Sequence, residues 1–341
     1  MRSFSRSAVS ILLSNRMQRL WAGALVTAAL AGVIMLPVSS AQAQGFPSRP
    51  IRVVVPFPTG GPSDILARVL GDFMSKDLGQ PLLIINRPGA DTILGVDLAA
   101  KSPTDGYTLL VSGDAGLINT ASGRKLPYDL MKDIAPISMI YAGPQVMMIP
   151  RDSPFKSLQD LVKHAKANPG KVSFASVGVA TSVYLNSEIF NQAAGIEALH
   201  VPYKGTVQAM TDLTGGRVDY MIGGTSTSIP AIKSGSLRGL ALMGKDRSPL
   251  LPDVPTAMEQ GVKVEFAGWY GLFTTAGAPA EAIKKVHESL VRALDSKSVR
   301  DSFQGLGGEP RAMSPEQFSA YLQGQMDKLS TLMKRLNIKI E

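Results

Sequence analysis

Apolar and polar positions along this chain switch repeatedly between a strand period and a helix period. Residues 51–57 (IRVVVPF) form a nearly continuous apolar run, as expected of a strand buried on both faces. Directly after it, Ile65, Leu66, Val69, Leu70, Phe73 and Met74 recur at helical spacing across 64–78 and make one apolar face. Short strands are predicted from Leu82 to Ile85 and from Thr108 to Val111. The pattern restarts near Ser153-Pro154. A helix carrying Leu158, Leu161, Val162 and Ala165 on one face stops at Asn168-Pro169-Gly170. A strand from Val172 to Ala175 then leads through Ser176-Val177-Gly178 into a helix from about Thr181. Strands are expected at 198–202, 218–222 and 237–242, with a helix over 206–213 and a turn at Gly215-Gly216. Beyond VKVEFAGWYGLFTTAGAP come two helices, the last opening with Ser314-Pro315-Glu316-Gln317. That is an N-cap, a proline at the first helical position and a glutamine placed for a capping box. Strands alternating with helices predict an α/β protein with mainly parallel sheets, and the length predicts two lobes. Periodicity does not decide which lobe holds the C-terminal helices.

Residues 1–43 are expected to be a signal peptide. Arg2, Arg6, Arg16 and Arg19 make a positive start with no acidic residue. An apolar block follows from Trp21 to Val38, and Ala41-Gln42-Ala43 supplies the small-x-small pattern that signal peptidase reads. The block's 18 mostly apolar residues approach membrane-spanning length, so an uncleaved anchor is the alternative. Pro37 and the tail from Ser39 to Ala43 favour cleavage. The mature chain is then a soluble periplasmic protein of about 298 residues beginning at Gln44.

Losing those arginines takes the formal charge from +8 to +4. The lysines (Lys163, Lys166, Lys284 and Lys285 among them) are scattered rather than clustered with aromatics. This argues against a nucleic-acid partner and leaves a slight attraction for anions. Cysteine is absent, which excludes thiol chemistry, and a domain of this size buries sufficient core without disulfides. His164, His200 and His287 lie far apart without metal-ligand spacing, so no metal site is expected.

Two strand–turn–helix junctions are the candidate chemistry. At the first, Pro58-Thr59-Gly60-Gly61 turns the chain, Pro62 suits a first helical turn, and Ser63 or Asp64 can cap. The free N–H groups of such a helix start can hold an anion, or the turn can be no more than a tight connection that needs glycine. A phosphate fits poorly: neither G-x-x-x-x-G-K-[ST] nor G-x-G-x-x-G occurs, and Asp64 would repel one unless it serves as an internal turn acceptor. At the second junction Ser176, Gly178, Thr181 and Ser182 again offer hydroxyls and N–H groups. Two such starts facing across one cleft can hold two carboxylates, or a carboxylate and another polar group. No G-x-S-x-G nucleophile elbow is present, His200 reads as a packed strand histidine, and Lys204 as a surface or hinge contact.

Several blocks, in order, resemble one known family. FPSRPIRVVVPFPTGGPSDILAR, INRPGA, SPTDGYTLL, LPYDLMKDIAPIS, HVPYKG, RSPLLPDVPTAMEQG and GWYGLFTTAGAP look like the substrate-binding proteins of tripartite tricarboxylate transporters, the Bug family, from Phe46 to the C-terminus. The resemblance implies a two-lobed periplasmic binding protein type II fold with a ligand cleft between lobes. Lobe one would be 44–146 plus 269–341 and lobe two 147–268. It also implies a ligand carboxylate gripped by Pro58, Thr59, Gly60 and Gly61, with Ser176, Gly178, Thr181 and Ser182 opposite, and neither catalysis nor a cofactor. The chain departs from the usual family pattern at Ala180 (commonly glycine), Tyr184 (commonly histidine), Gly223-Gly224 (commonly Asp-Asn, here followed by Thr225) and Ala90-Asp91-Thr92 (usually Gly-Gly-Asn). Those last changes place Asp91 and Thr92 near the possible cleft. The acid missing at 223 weakens the case for an amino-acid ligand, whose ammonium group would want that charge.

The function expected from these features is capture of a small organic carboxylate by a monomer and its delivery to the permease subunits of a tripartite tricarboxylate-type transporter. The alternative is a binding protein that reports the ligand to a membrane sensor. A secreted hydrolase of carboxylate esters is a third reading, which would need Ser176 as nucleophile.

Overall fold

Strand β1 (Ile51–Val55) sends alternate side chains into two different cores. In the computed structural model, which describes residues 45–335, Ile51, Val53 and Val55 pack with Leu66 and Leu70 of α1 (Pro62–Leu78). Val54 faces the other way, toward Val96 of α2 (Ile93–Ala100). A strand covered on both faces needs the continuous apolar run seen in its sequence. Helix α1 starts with Pro62 at its first position and ends at Gly79 in the left-handed region (φ 68°), which a side chain would resist. The expected signal peptide lies outside the described residues. Among those residues no helix is long and apolar enough to cross a membrane.

β1 pairs in parallel with β2 (Leu82–Asn86) and β3 (Thr108–Ser112). After α3 (Ala115–Ala121) and α4 (Leu130–Asp133), the chain enters β4 (Ile134–Pro150), a strand of 17 residues that serves two sheets. Its first part runs antiparallel to β9 (Ala267–Thr275), from Ile134 opposite Thr275 to Pro144 opposite Ala267. Its last part pairs antiparallel with β7 (Met221–Gly224) and β8 (Leu237–Leu242). The sheet is therefore mixed rather than mainly parallel, because β9 also lies antiparallel to β3. β9 runs against β3 and β4 in the first lobe, and β4 runs against β7 and β8 in the second. At Gly143-Pro144 β4 changes partners from β9 to β7, and the strand continues through the pair.

The second lobe repeats the two-faced design. Met147 and Ile149 of β4 pack with Phe174 of β5 (Val172–Ser176) and Phe190 of α6 (Ser182–Ala194), beside α5 (Leu158–Ala167). Val146 and Met148 pack instead with Ala209 and Leu213 of α7 (Thr206–Thr214) and Ile229 of α8 (Thr225–Lys233). β5 pairs in parallel with β6 (Ala198–Pro202). The strand expected at 218–222 begins at Met221, because Asp219 bends back to accept from the backbone N and Oγ of Ser173.

Three helices rather than two finish the described chain. α9 (Ala280–Asp295) ends where Ser296 caps α10 (Lys297–Gly305) by accepting from Val299 N. The chain then passes β10 (Glu309–Pro310) into α11 (Pro315–Arg335). Val286, Leu290 and Leu294 of α9 share the core of Ile51 and Leu66, while Phe318 and Leu322 of α11 pack on Trp269 and Phe273. The expected capping box forms: Gln317 N donates to Ser314 Oγ at 3.2 Å and Ser314 N to Gln317 Oε1 at 3.0 Å.

Candidate ligand-binding cleft between the lobes

At the first junction the turn closes on itself. Gly60 sits at φ +83°, and its N–H donates to Asp64 Oδ2 at 3.0 Å. Asp64 also receives Arg68 Nη2 and Asn86 Nδ2, each at 2.9 Å. Burial pushes the Asp64 carboxyl up, but the bonds from Arg68, Gly60 and Asn86 outweigh it and hold the group below its ordinary value. Asp64 is thus the turn's internal acceptor. Thr59 Oγ1 donates to Asn86 Oδ1 at 3.2 Å.

At the second junction Ser176 Oγ lies 2.7 Å from His200 Nε2, and Gly178 N donates back to it at 3.3 Å. Thr181 precedes α6 as its N-cap residue, with its hydroxyl donating to Gly178 O at 2.7 Å. Ser176 is fully buried. The His200 ring stacks on Phe174 with centroids 5.0 Å apart, and burial lowers its pKa.

Between the lobes lies a cavity of about 50 Å³. The first lobe contributes Phe57, Ser63 and Asp114, and the second contributes Thr181, Ser182 and Thr225. The crossover strands add Tyr141, Gln145, Trp269 and Tyr270. Of the residues singled out in the sequence, Thr181, Ser182 and Thr225 meet here. Pro58, Thr59, Gly60 and Gly61 lie just outside the wall, and Ser176 and Gly178 stand behind it. Gly223 and Gly224 line it, so the two glycines do open space at the end of β7. Asp91 is not on the wall. Its carboxylate pairs with Arg124 at 2.9 Å and crosses to the second lobe, where a β-carbon on Gly178 would stand 2.4 Å from Asp91 Oδ1. Ala90, Asp91 and Thr92 all have positive φ (47°, 50° and 77°), a costly backbone for residues other than glycine.

Tyr141, Gln145 and Asp114 are wall residues that were not foreseen. Thr225 Oγ1 donates to Gly307 O at 3.0 Å and lies 3.2 Å from Tyr141 Oη, tying the start of α8 to the first lobe. Gln145, almost fully buried, accepts from Asn186 Nδ2 at 2.7 Å and donates to Ser182 Oγ at 3.4 Å. Asp114, in the β3–α3 turn, shares the cavity wall with Ser182 at the start of α6. Burial pushes its carboxyl up to about 6, with Ser182 pulling the other way. Burial first, then Asp114 and Tyr141, raises the Tyr270 phenol. Among the described wall residues Asp114 is the one carboxylate, and none is lysine, arginine or histidine.

The sequence pattern of the tripartite tricarboxylate transporter family receptor matches residues 66–338, most of the chain. The chain belongs to this family. Protein BugT of Bordetella pertussis is 34% identical over 328 residues, covering 95% of this chain and 99% of BugT. The solved periplasmic binding protein BugD superposes with a TM-score of 0.82 at 32% identity, over 86% of this chain and 99% of that one. MatC of Rhodopseudomonas palustris with bound malate gives 0.80 at 30%, over 84% and 99%. The two-lobed α/β architecture is that of these binding proteins, and the family's receptors bind solutes rather than transform them.

Proposed function

We propose that this receptor-family protein works outside the cytoplasm, capturing a small organic carboxylate between its lobes and delivering it to a tripartite tricarboxylate-type membrane transporter. The observation that carries the reading is the cavity walled by both lobes and by both crossover strands. A ligand there touches everything that moves on closure, so binding energy and lobe closure are coupled. Malate in MatC supports a carboxylate as the ligand class. In this reading residues 1–43 are the export signal, lobe one is 44–146 plus 269–341, and lobe two is 147–268. The ligand carboxylate lies against the start of α1 beside Ser63, with the Pro58–Gly61 turn closing over it. Thr181, Ser182 and Thr225 hold its far end, and Ser176 and Gly178 shape the turn that presents them.

A thermal-shift panel of di-, tri- and aromatic carboxylates tests this. A true ligand at a hundredfold excess over its Kd adds about 2.7 kcal/mol of stability, a shift of several degrees. A panel in which no carboxylate moves the melting temperature would refute the ligand class. Uptake of the hit by cells lacking this protein tests delivery: undiminished uptake would separate binding from transport.

A further inference from the structure

We propose that Asp114 selects the ligand: the cleft takes a singly charged carboxylate whose far end carries a hydrogen-bond donor, an ammonium or a hydroxyl, in preference to a dicarboxylate. This rests on the carboxylate-capture reading and names the ligand within it.

The start of α6 is the natural place for a second ligand carboxylate, since Thr181, Ser182 and Val183 of its first turn line the cavity. That place already has a carboxylate from the protein. Asp114 stands on the cavity wall with Ser182, the first residue of that helix, and its pKa is displaced by burial first, with Ser182 pulling the other way and no cation contributing. The other polar neighbours do not compensate. Tyr141 and Tyr270 from the crossover strands and Tyr321 from α11 are neutral phenols, each with its pKa raised by burial. Lys263 and Lys328 border the adjoining groove on the far side of Asp114, not the cavity.

Three consequences follow for a ligand. An ionised Asp114 can only accept, so the group facing it must donate. A second carboxylate would meet like charge at short range in a confined space, where water screens poorly. An ammonium or hydroxyl would complete the acceptor set of Asp114 and leave no buried group unpaired. The missing acid at 223 counts against an amine-bearing ligand on sequence grounds, but Asp114 supplies the negative charge from the opposite lobe. The walls of Phe57, Tyr141, Trp269 and Tyr270 suit an apolar or aromatic body between the two polar ends.

Calorimetry at pH 8 with two matched sets tests this. One set is adipate, 6-hydroxyhexanoate and 6-aminohexanoate. The other is terephthalate, 4-(hydroxymethyl)benzoate and 4-(aminomethyl)benzoate. In the wild-type protein a donor-bearing member should bind at least about tenfold tighter than the dicarboxylate of its set. Asp114→Asn should narrow that ratio to within about threefold, chiefly by improving the dicarboxylate. A dicarboxylate that equals or beats its donor-bearing partners in the wild type overturns the inference while leaving carboxylate capture intact, and needs no variant to fold. An unchanged ratio in Asp114→Asn also overturns it. Failure of all six acids to bind overturns both readings.

Discussion

Pro58 of the first lobe lies against Gly205 of the second so closely that a β-carbon on Gly205 would stand 2.8 Å from Pro58 Cγ. Gly205 has φ −175°, an extended backbone open to any residue, so the glycine is there for the approach of Pro58. Gly205→Val should leave the fold and each lobe's stability within about 1 kcal/mol but prop the lobes apart. Ligand affinity should fall at least tenfold, and small-angle scattering should show a larger radius of gyration with ligand present. Wild-type affinity in Gly205→Val would mean that the ligand-bound form does not need this contact.

Asp114 should impose a pH dependence of defined sign. Its folded-state carboxyl sits at about 6 against an ordinary 3.8, so the folded protein holds that proton more tightly than the unfolded chain. The resulting stabilisation is complete below the ordinary value and is lost as pH rises to about 6, amounting to as much as about 3 kcal/mol. Asp64, whose carboxyl is held below its ordinary value, loses its contribution only as pH falls further. The melting temperature of Asp114→Asn minus that of wild type should therefore climb between pH 4 and 7. A flat difference would place the Asp114 carboxyl in water.

Trp269 should report closure. It pairs with Ala142 where β4 and β9 cross between lobes, lines the cavity, and meets Phe318 and Tyr321 edge-on at 5.8 and 5.7 Å. The chain has two tryptophans, and cleavage after Ala43 would remove Trp21. Emission of the mature protein should then change saturably with ligand, at the Kd found by calorimetry. A silent signal with tight binding would show that this stretch of β9 stays fixed during closure.

Gly271 and Phe318 should be coupled energetically. A β-carbon on Gly271 would lie 2.3 Å from Phe318 Cζ, and Phe318 is fully buried. Phe318→Ala should cost about 3–5 kcal/mol through the cavity it leaves. Gly271→Ala alone should cost about 1–3 kcal/mol by overpacking. In a Phe318→Leu background the added methyl should cost much less, and denaturant melts of the four proteins read the coupling directly. Additive losses would show that the strand shifts away from the ring instead.

What can be read along the chain is what neighbours in sequence decide. The apolar face of α1, the continuous apolar run of β1, the Ser314–Gln317 capping box and the Gly60–Asp64 bond are each written in residue type and spacing within a few positions. The family blocks extend this to the two-lobed architecture. Packing decides the rest. β4 runs through Gly143-Pro144 because its partner changes there from β9 to β7, and a local pattern carries no record of which strand lies alongside. Asp114 carries no signal of its own in sequence until the lobes put it on one cavity wall with Ser182, far away along the chain. The Pro58–Gly61 turn is legible as a glycine turn, but only the docking of the lobes brings Gly205 and Val207 against it and puts Phe57 and Ser63 on the cavity wall. The charge and shape of the cleft arise from the docking of two separately cored bodies. Their register depends on side-chain packing summed over long separations, which no period of two or of 3.6 contains.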